Sequence, residues 1–382
     1  MRLPALRVFF FACLAGGACW SVRSLSAVDL ESPRFFAIAH PGEIMIVREH
    51  RRAELSAMPD TIIEKLCGPD RLSGWPSHGT VRNVDSDGQP ADGLALTLMQ
   101  ASAAVLAYDN RTARRVIIQH LLRYAKKNAL SRMKGELDAN TFYNLDRTLL
   151  PVIVSYGFVR DHPDLKPKDR ERIDAWLLRL VQFRGADREV DPARVSSRNN
   201  HRYLRASVTM AMGALVGDQD MFREGIRRFH IALEQMREDG SLPLETARGA
   251  LSLYYQRHAL ASLVAIAEMA AAQGHDLYGQ VNSRGQGLHE AIGFLARGID
   301  DPSLLEAYTI EPQSLHFLVQ RGHGRHYMAW FEAYAARFPD RDNVRRLRDA
   351  MERFGDEQGY RLDDYSGGVT SCMFASGYST NN

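Results

Sequence analysis

The chain has 382 residues, of which 45% are hydrophobic and 25% charged, and its 48 Lys and Arg against 46 Asp and Glu leave a net charge of +2. That composition suits a globular protein with room for one large domain or two ordinary ones. A dedicated nucleic-acid binder would carry a larger basic excess, so nucleic acid is not expected as a partner.

Residues 1–27 read as a secretory leader. Arg2 and Arg7 give a positive start, Val8 to Trp20 is apolar, and the small residues Ser24, Ser26 and Ala27 follow. The competing reading is a short membrane anchor, but the apolar run is too short to span a bilayer as a stable helix. Cys19 follows Gly16, Gly17 and Ala18 as in a lipoprotein site, yet Gly16 stands where such a site wants Leu. No second long apolar run follows, so the expected mature chain is periplasmic or secreted and free of the membrane. Beyond the leader only Cys67 and Cys372 remain. Export permits a disulfide between them, and two buried thiols are the alternative.

Residues 28–91 are poorly periodic and rich in Pro, with Pro33, Pro41, Pro59, Pro69, Pro76 and Pro90. They read as an arm and loops around one short helix, Met58 to Leu66. Trp75 and His78 either line a cleft or pack the loop on the body.

From Asp92 the pattern changes. Leu94, Leu98, Ala101, Val105 and Leu106 recur at helical spacing. Similar segments follow at 111–130, 140–160, 167–184, 199–216, 219–237, 246–273, 286–298, 325–337 and 340–354, separated by turns with Gly, Pro, Asp and Asn. Strand-type alternation is scarce, and no fixed period marks a solenoid. The expectation is an all-α domain over 92–382: antiparallel helix hairpins forming an incomplete α/α barrel, or toroid, with one set of helix ends lining a cleft. The stretch from Asp356 reads as a polar tail around Gly367-Gly368.

Two helix starts draw attention. Ser196, Ser197, Asn199 and Asn200 are good capping residues ahead of Leu204, Val208, Ala211, Met212 and Leu215. A helix start also welcomes an anion, and Arg198, Arg202 and Arg205 add to that appeal. Further on, Arg248 and Tyr255 stand two turns apart on one expected helix and would share a face. Tyr254 and Tyr255 cannot point the same way, so one of them packs.

Asn199-Asn200-His201 with Tyr203 resembles the alginate lyase family (polysaccharide lyase family five and related polyuronate lyases). So does Phe229-His230-Ile231-Ala232 with Gln235, Asp239-Gly240, Leu242-Pro243, Glu245, Arg248 and Tyr255. Trp330-Phe331-Glu332-Ala333-Tyr334, Arg361-Leu362 and Gly367-Gly368-Val369-Thr370 are similar to the family's C-terminal part. The resemblance covers roughly 92–375. It implies an α/α barrel and β-elimination on a uronate polymer of the polymannuronate (alginate) type, leaving an unsaturated uronate end. It implies that Asn200 and Arg248 neutralise the uronate carboxylate, that His201 and Tyr255 are the catalytic His and Tyr, and that neither metal nor cofactor is required.

The sequence departs from the family at three places. Leu204 and Arg205 follow where a Trp is usual, no Lys- or Tyr-bearing lid is evident in residues 40–90, and Asp146-Arg147-Thr148 stands for Arg-Lys-Trp. These positions belong to the family's sugar cleft, so polyglucuronate or an acidic exopolysaccharide competes with polymannuronate as substrate. Tyr143, Asn144, Arg147, Tyr203, Arg205, Tyr254 and His258 are the candidate cleft residues. The expected partner is an anionic polysaccharide and the expected state a monomer. Two other readings stand beside this one: a non-catalytic acidic-polysaccharide binder of the same fold, and a glycoside hydrolase using Asp146 and Glu245, since hydrolysis needs a carboxylate pair across the bond.

Overall fold

The computed structural model describes residues 36–69, 79–84, 91–133, 139–186, 194–356 and 359–376. The expected leader, Trp75 and His78 lie outside them.

Helices dominate. In chain order they are α1 (Arg48–Ser56), α2 (Asp60–Cys67), α3 (Asp92–Tyr108), α4 (Arg111–Lys126), α5 (Ala139–Gly157), α6 (Pro167–Ala186) and α7 (Asn200–Val216). There follow α8 (Gln219–Gln235), α9 (Pro243–Thr246), α10 (Ser252–Ala272), α11 (Leu288–Asp300), α12 (Phe331–Arg337), α13 (Asp342–Arg353) and α14 (Thr370–Phe374). Among the described residues two minimal sheets join them. β1 (Asn83–Val84) pairs parallel with β2 (Arg132–Met133), and β3 (Leu362–Asp363) pairs antiparallel with β4 (Gly368–Val369).

Burial sorts the helices into two layers. α3, α5, α7 and α10 pack in that order against one another, and each is buried nearly all round. α8 instead buries one stripe, Phe222, Ile226, Phe229 and Leu233, and α4 buries Ala113, Ile117, Leu121 and Tyr124. A helix apolar on every side belongs inside, and one with a single stripe belongs outside. α4 packs on α3 and α6, α8 on α7, and α13 on α11, so inner and outer helices alternate along the chain as antiparallel hairpins. The hairpin turns are chemically specified. Between α7 and α8, Gly217 takes φ +80 in the left-handed region, and the Asp218 side chain caps α8 by accepting from Asp220 and Met221. This is the α/α toroid that the helical periodicity predicts.

Three expectations change. The arm holds two helices among its described residues, α1 and α2, and both pack on α3; α2 also meets α14. The segment expected at 325–337 becomes helical only from Phe331, because Arg325 bridges to Leu362 instead. The segment expected at 246–273 breaks after α9. Of the alternatives for Cys67 and Cys372, the disulfide is present, with a Cα–Cα distance of 4.4 Å, and it ties α2 to α14. Among the described residues no helix is long and apolar enough to cross a membrane.

Candidate active site

α7 starts where it does because Asn199 caps it. Its side chain accepts the His201 backbone N–H at 3.2 Å. The cap sets Asn200 and His201 on the first turn. Asn200, 1% exposed, donates its backbone N–H to Glu245 Oε1 and its Nδ2–H to Glu245 Oε2, both at 2.8 Å. Glu245 on α9 is itself fully buried. Burial pushes its carboxyl up to about 7, against the pull of the two Asn200 hydrogen bonds and of Arg248. The other end of the amide, Asn200 Oδ1, is buried without a hydrogen-bond partner.

Arg248 follows α9 and does not lie on α10, so the shared-helix expectation for Arg248 and Tyr255 is overturned. Gly249 is the reason: it takes φ +58, and a Cβ there would lie 2.8 Å from the Glu311 carboxylate, which receives the Ala250 N–H. The turn nevertheless folds Arg248 back over Tyr255, with the guanidinium carbon 4.3 Å from the ring centroid.

A chain of rings joins the two helix starts. His201 stacks on Tyr143 of α5 at 4.1 Å between centroids and 23° between planes. The Tyr143 hydroxyl lies 2.6 Å from His258 Nδ1 on α10. The His258 ring in turn lies 5.8 Å from Tyr255 and 4.6 Å from Tyr254. The Asn200–His201 and Arg248–Tyr255 pairs therefore converge by two routes, through Glu245 and through the rings. Burial raises the Tyr143 and Tyr254 phenols above the ordinary tyrosine value.

The remaining expected cleft residues divide. Arg147, one turn beyond Tyr143, bonds Asp364 Oδ2 through Nη2 at 3.1 Å, and its guanidinium carbon stands 5.1 Å from the Tyr365 ring. Asn144 is buried on the same helix, and Arg205 is half-buried on α7 one turn beyond His201. Tyr203 is different. It is 2% exposed and donates its hydroxyl to Gln235 of α8 at 2.8 Å, so its polar end is turned to the outer layer and satisfied there.

Several residues at the site were not among the sequence candidates. Asp363, Asp364 and Tyr365 arrive on the β3–β4 turn and are buried. Burial lifts Asp363 to about 6, opposed by Arg321, whose Nη2 lies 3.1 Å from its Oδ1. Arg257 is fully buried, and its guanidinium carbon stands 4.9, 4.5 and 5.6 Å from the rings of Tyr254, Tyr327 and Tyr365. His316 stacks on Tyr254 at 4.8 Å. The sequence does hold one clue, a polar Asp-Asp-Tyr between Leu362 and Gly367-Gly368, which is the pattern of a tight β-turn.

The arrangement offers guanidinium groups, an amide, an imidazole and phenols around one place. Such donors hold an anionic, hydroxyl-rich ligand and can move a proton beside it. The hydrolase reading fits poorly, because both oxygens of Glu245 are engaged by Asn200 and the residue has no exposed surface. Among the described residues no cluster of three His, Cys, Asp or Glu is arranged to hold a metal ion.

A sequence model of the alginate lyase family matches residues 91–305. A polysaccharide lyase of Stenotrophomonas maltophilia is 34% identical over 191 residues, 49% of this chain and 52% of that protein. An alginate lyase of Pseudomonas entomophila is 32% identical over 202 residues, 53% of this chain and 51% of the relative. The chain thus spans about half the length of the curated relatives it matches. The fold is shared more widely. A variant of alginate lyase A1-III complexed with a tetrasaccharide superposes with a TM-score of 0.75 at 23% identity, over 92% of this chain and all of the other. An alginate lyase from Bacteroides ovatus gives a TM-score of 0.60 at 16% identity, over 88% and 99%.

Proposed function

The chain belongs to the alginate lyase family, and from that premise we propose that it cleaves a uronate polymer of the polymannuronate type by β-elimination. The observation that carries the reading is the convergence of Asn200–His201 with Arg248–Tyr255, through Glu245 and through the His201–Tyr143–His258 rings.

The chemistry follows from the acidity of the substrate. The proton on C5 of a uronate is hard to remove while the neighbouring carboxylate keeps its full charge. Asn200 and Arg248 stabilise the charge that moves onto that carboxyl group as C5 loses its proton. Tyr255 takes the C5 proton and returns one to O4 as the C4–O4 bond breaks; the two lie on the same side of mannuronate and of glucuronate. His201, held by Tyr143, polarises the site, and serves as base for a sugar of opposite C5 geometry. The products are a new reducing end and a 4,5-unsaturated uronate.

We also propose that the protein acts outside the cytoplasm. The leader expected at 1–27 and the Cys67–Cys372 disulfide support export.

The test is turnover of polymannuronate, polyguluronate and polyglucuronate followed in the ultraviolet, where the conjugated double bond left by elimination absorbs. Growth of that absorbance on polyglucuronate alone would move the substrate to the glucuronan reading. Release of reducing ends without it would replace elimination by hydrolysis, and binding without either would leave a polysaccharide-binding protein.

A further inference from the structure

Asn200 and Glu245 form a pair in which every polar atom but one is engaged. Both Glu245 oxygens accept N–H groups of Asn200, and the atom left over is the amide oxygen Oδ1, buried without a partner. In this orientation the free end of the amide is an acceptor. An arriving carboxylate needs donors and is repelled by an unpaired carbonyl oxygen. It also brings a second negative charge into a site where Glu245 already lies within the field of Arg248.

We propose that substrate binding transfers a proton from solvent to Glu245 and inverts the Asn200 amide, so that Glu245 is the positioning residue that presents Asn200 N–H groups to the uronate. The inference rests on the lyase reading above. With Oε1 still accepting the Asn200 backbone N–H, a proton on Oε2 makes that oxygen a donor. The amide then turns Oδ1 toward Glu245, which satisfies the orphan oxygen, and swings Nδ2 away to meet the sugar carboxylate. The proton balance is simple: one O–H bond forms on Glu245, and the proton comes from water or buffer.

The surroundings favour this exchange. Two carboxylates that share one cation and one amide cannot both stay ionised cheaply in a dry site, and the more deeply buried one takes the proton. Glu245 is the more deeply buried, and burial already draws its carboxyl up to about 7. Several charged and titratable groups of the described residues surround it. Arg248 and Arg237, which bonds the adjacent Thr246, lie on its own segment. His201 and Tyr203 come from α7, Arg228 of α8 acts on Tyr203, and Tyr255 of α10 lies under Arg248. Tyr203 is held protonated by burial and by Glu245 itself, so it is not the group that gains a proton.

The experiment is isothermal titration of an oligomannuronate tetramer into the Tyr255→Phe protein, whose turnover is expected to be about 10³-fold slower. At pH 8, in buffers of differing ionisation enthalpy, binding should take up close to one proton per site, about the full titration of one group. The uptake should vanish in Glu245→Gln/Tyr255→Phe, whose side-chain amide imitates the protonated acid. It should also fall in Asn200→Ala/Tyr255→Phe, where Glu245 has lost a donor and is protonated before the ligand arrives. Tetramer binding without proton uptake, or uptake unchanged by the Glu245 substitution, overturns this inference and leaves the lyase reading standing. A tetramer that does not bind at all overturns both.

Discussion

The Arg248 guanidinium carbon lies 4.3 Å from the centre of the Tyr255 ring, over its face, although a left-handed glycine separates the two residues and ends the helix they were expected to share. If that contact places the proton-transferring phenol beside the group that neutralises the substrate, Tyr255→Phe should lower kcat by about 10³-fold with KM little changed. Arg248→Lys should not rescue Arg248→Ala, because a point ammonium lacks the planar fork and the ring stacking of a guanidinium. Steady-state kinetics on polymannuronate check both, and a Tyr255→Phe enzyme that keeps a tenth of its kcat would remove Tyr255 from the mechanism.

Tyr143 has two separable tasks: its ring stacks on His201, and its hydroxyl bonds His258 Nδ1. Tyr143→Phe keeps the stack and deletes the hydroxyl's bonds to His258 and to Tyr365, leaving a buried imidazole with neither nitrogen paired. We expect a loss of roughly 1–3 kcal/mol of stability, with a smaller effect on kcat than His201→Ala. Thermal unfolding and kinetics on the two variants decide it; equal losses in kcat would mean that the hydroxyl itself serves the reaction.

The disulfide closes a loop between residues separated by 305 positions and joins α2 to α14, which directly follows the strand opposite Asp363. Cys67→Ser/Cys372→Ser, or reductant, should cost about 2–5 kcal/mol in unfolding free energy. Denaturant melts with and without reductant measure this. Identical midpoints would show that the bridge adds nothing to stability.

His326 is fully buried. Its Nδ1 accepts the Met328 N–H at 2.9 Å, so the neutral ring carries its proton on Nε2, 3.4 Å from Asp356 Oδ1. Burial, aided by Arg361, holds this imidazole down to about 3, against 6.5 for a free histidine. Between those two values the unfolded chain binds a proton that the folded chain does not. The stability due to neutral His326 is therefore complete above pH 6.5 and lost as pH falls toward 3, on the order of 5 kcal/mol in all. Unfolding free energies measured across that range should have a flatter slope in His326→Gln, by about one proton. A slope unchanged by the substitution would show that His326 titrates normally.

The sequence itself determined the all-helical toroid of antiparallel hairpins. A period of 3.6 in the apolar residues marks the helices, and Asn199, Gly217 and Asp218 specify the α7–α8 hairpin locally, while burial in the structure sorts the helices into inner and outer layers. It also marked Asn200, His201, Arg248 and Tyr255, because their residue types and spacing carry the family resemblance. What it could not give was direction. Tyr203 was a fair cleft candidate by the family resemblance, and only packing reveals that its hydroxyl meets Gln235 on the outer helix. Asp363, Asp364 and Tyr365 sat in an unremarkable polar tail until the short β3–β4 hairpin brought Asp364 to Arg147 and Asp363 to Arg321. Glu245 stood out only within the family resemblance and as one of a hydrolase's two carboxylates, and its link to Asn200 exists only because α7 and α9 begin side by side. Periodicity is a local property and can be read along the chain. The meeting of a carboxylate with an amide 45 residues away depends on how whole helices pack, and that is decided only in three dimensions.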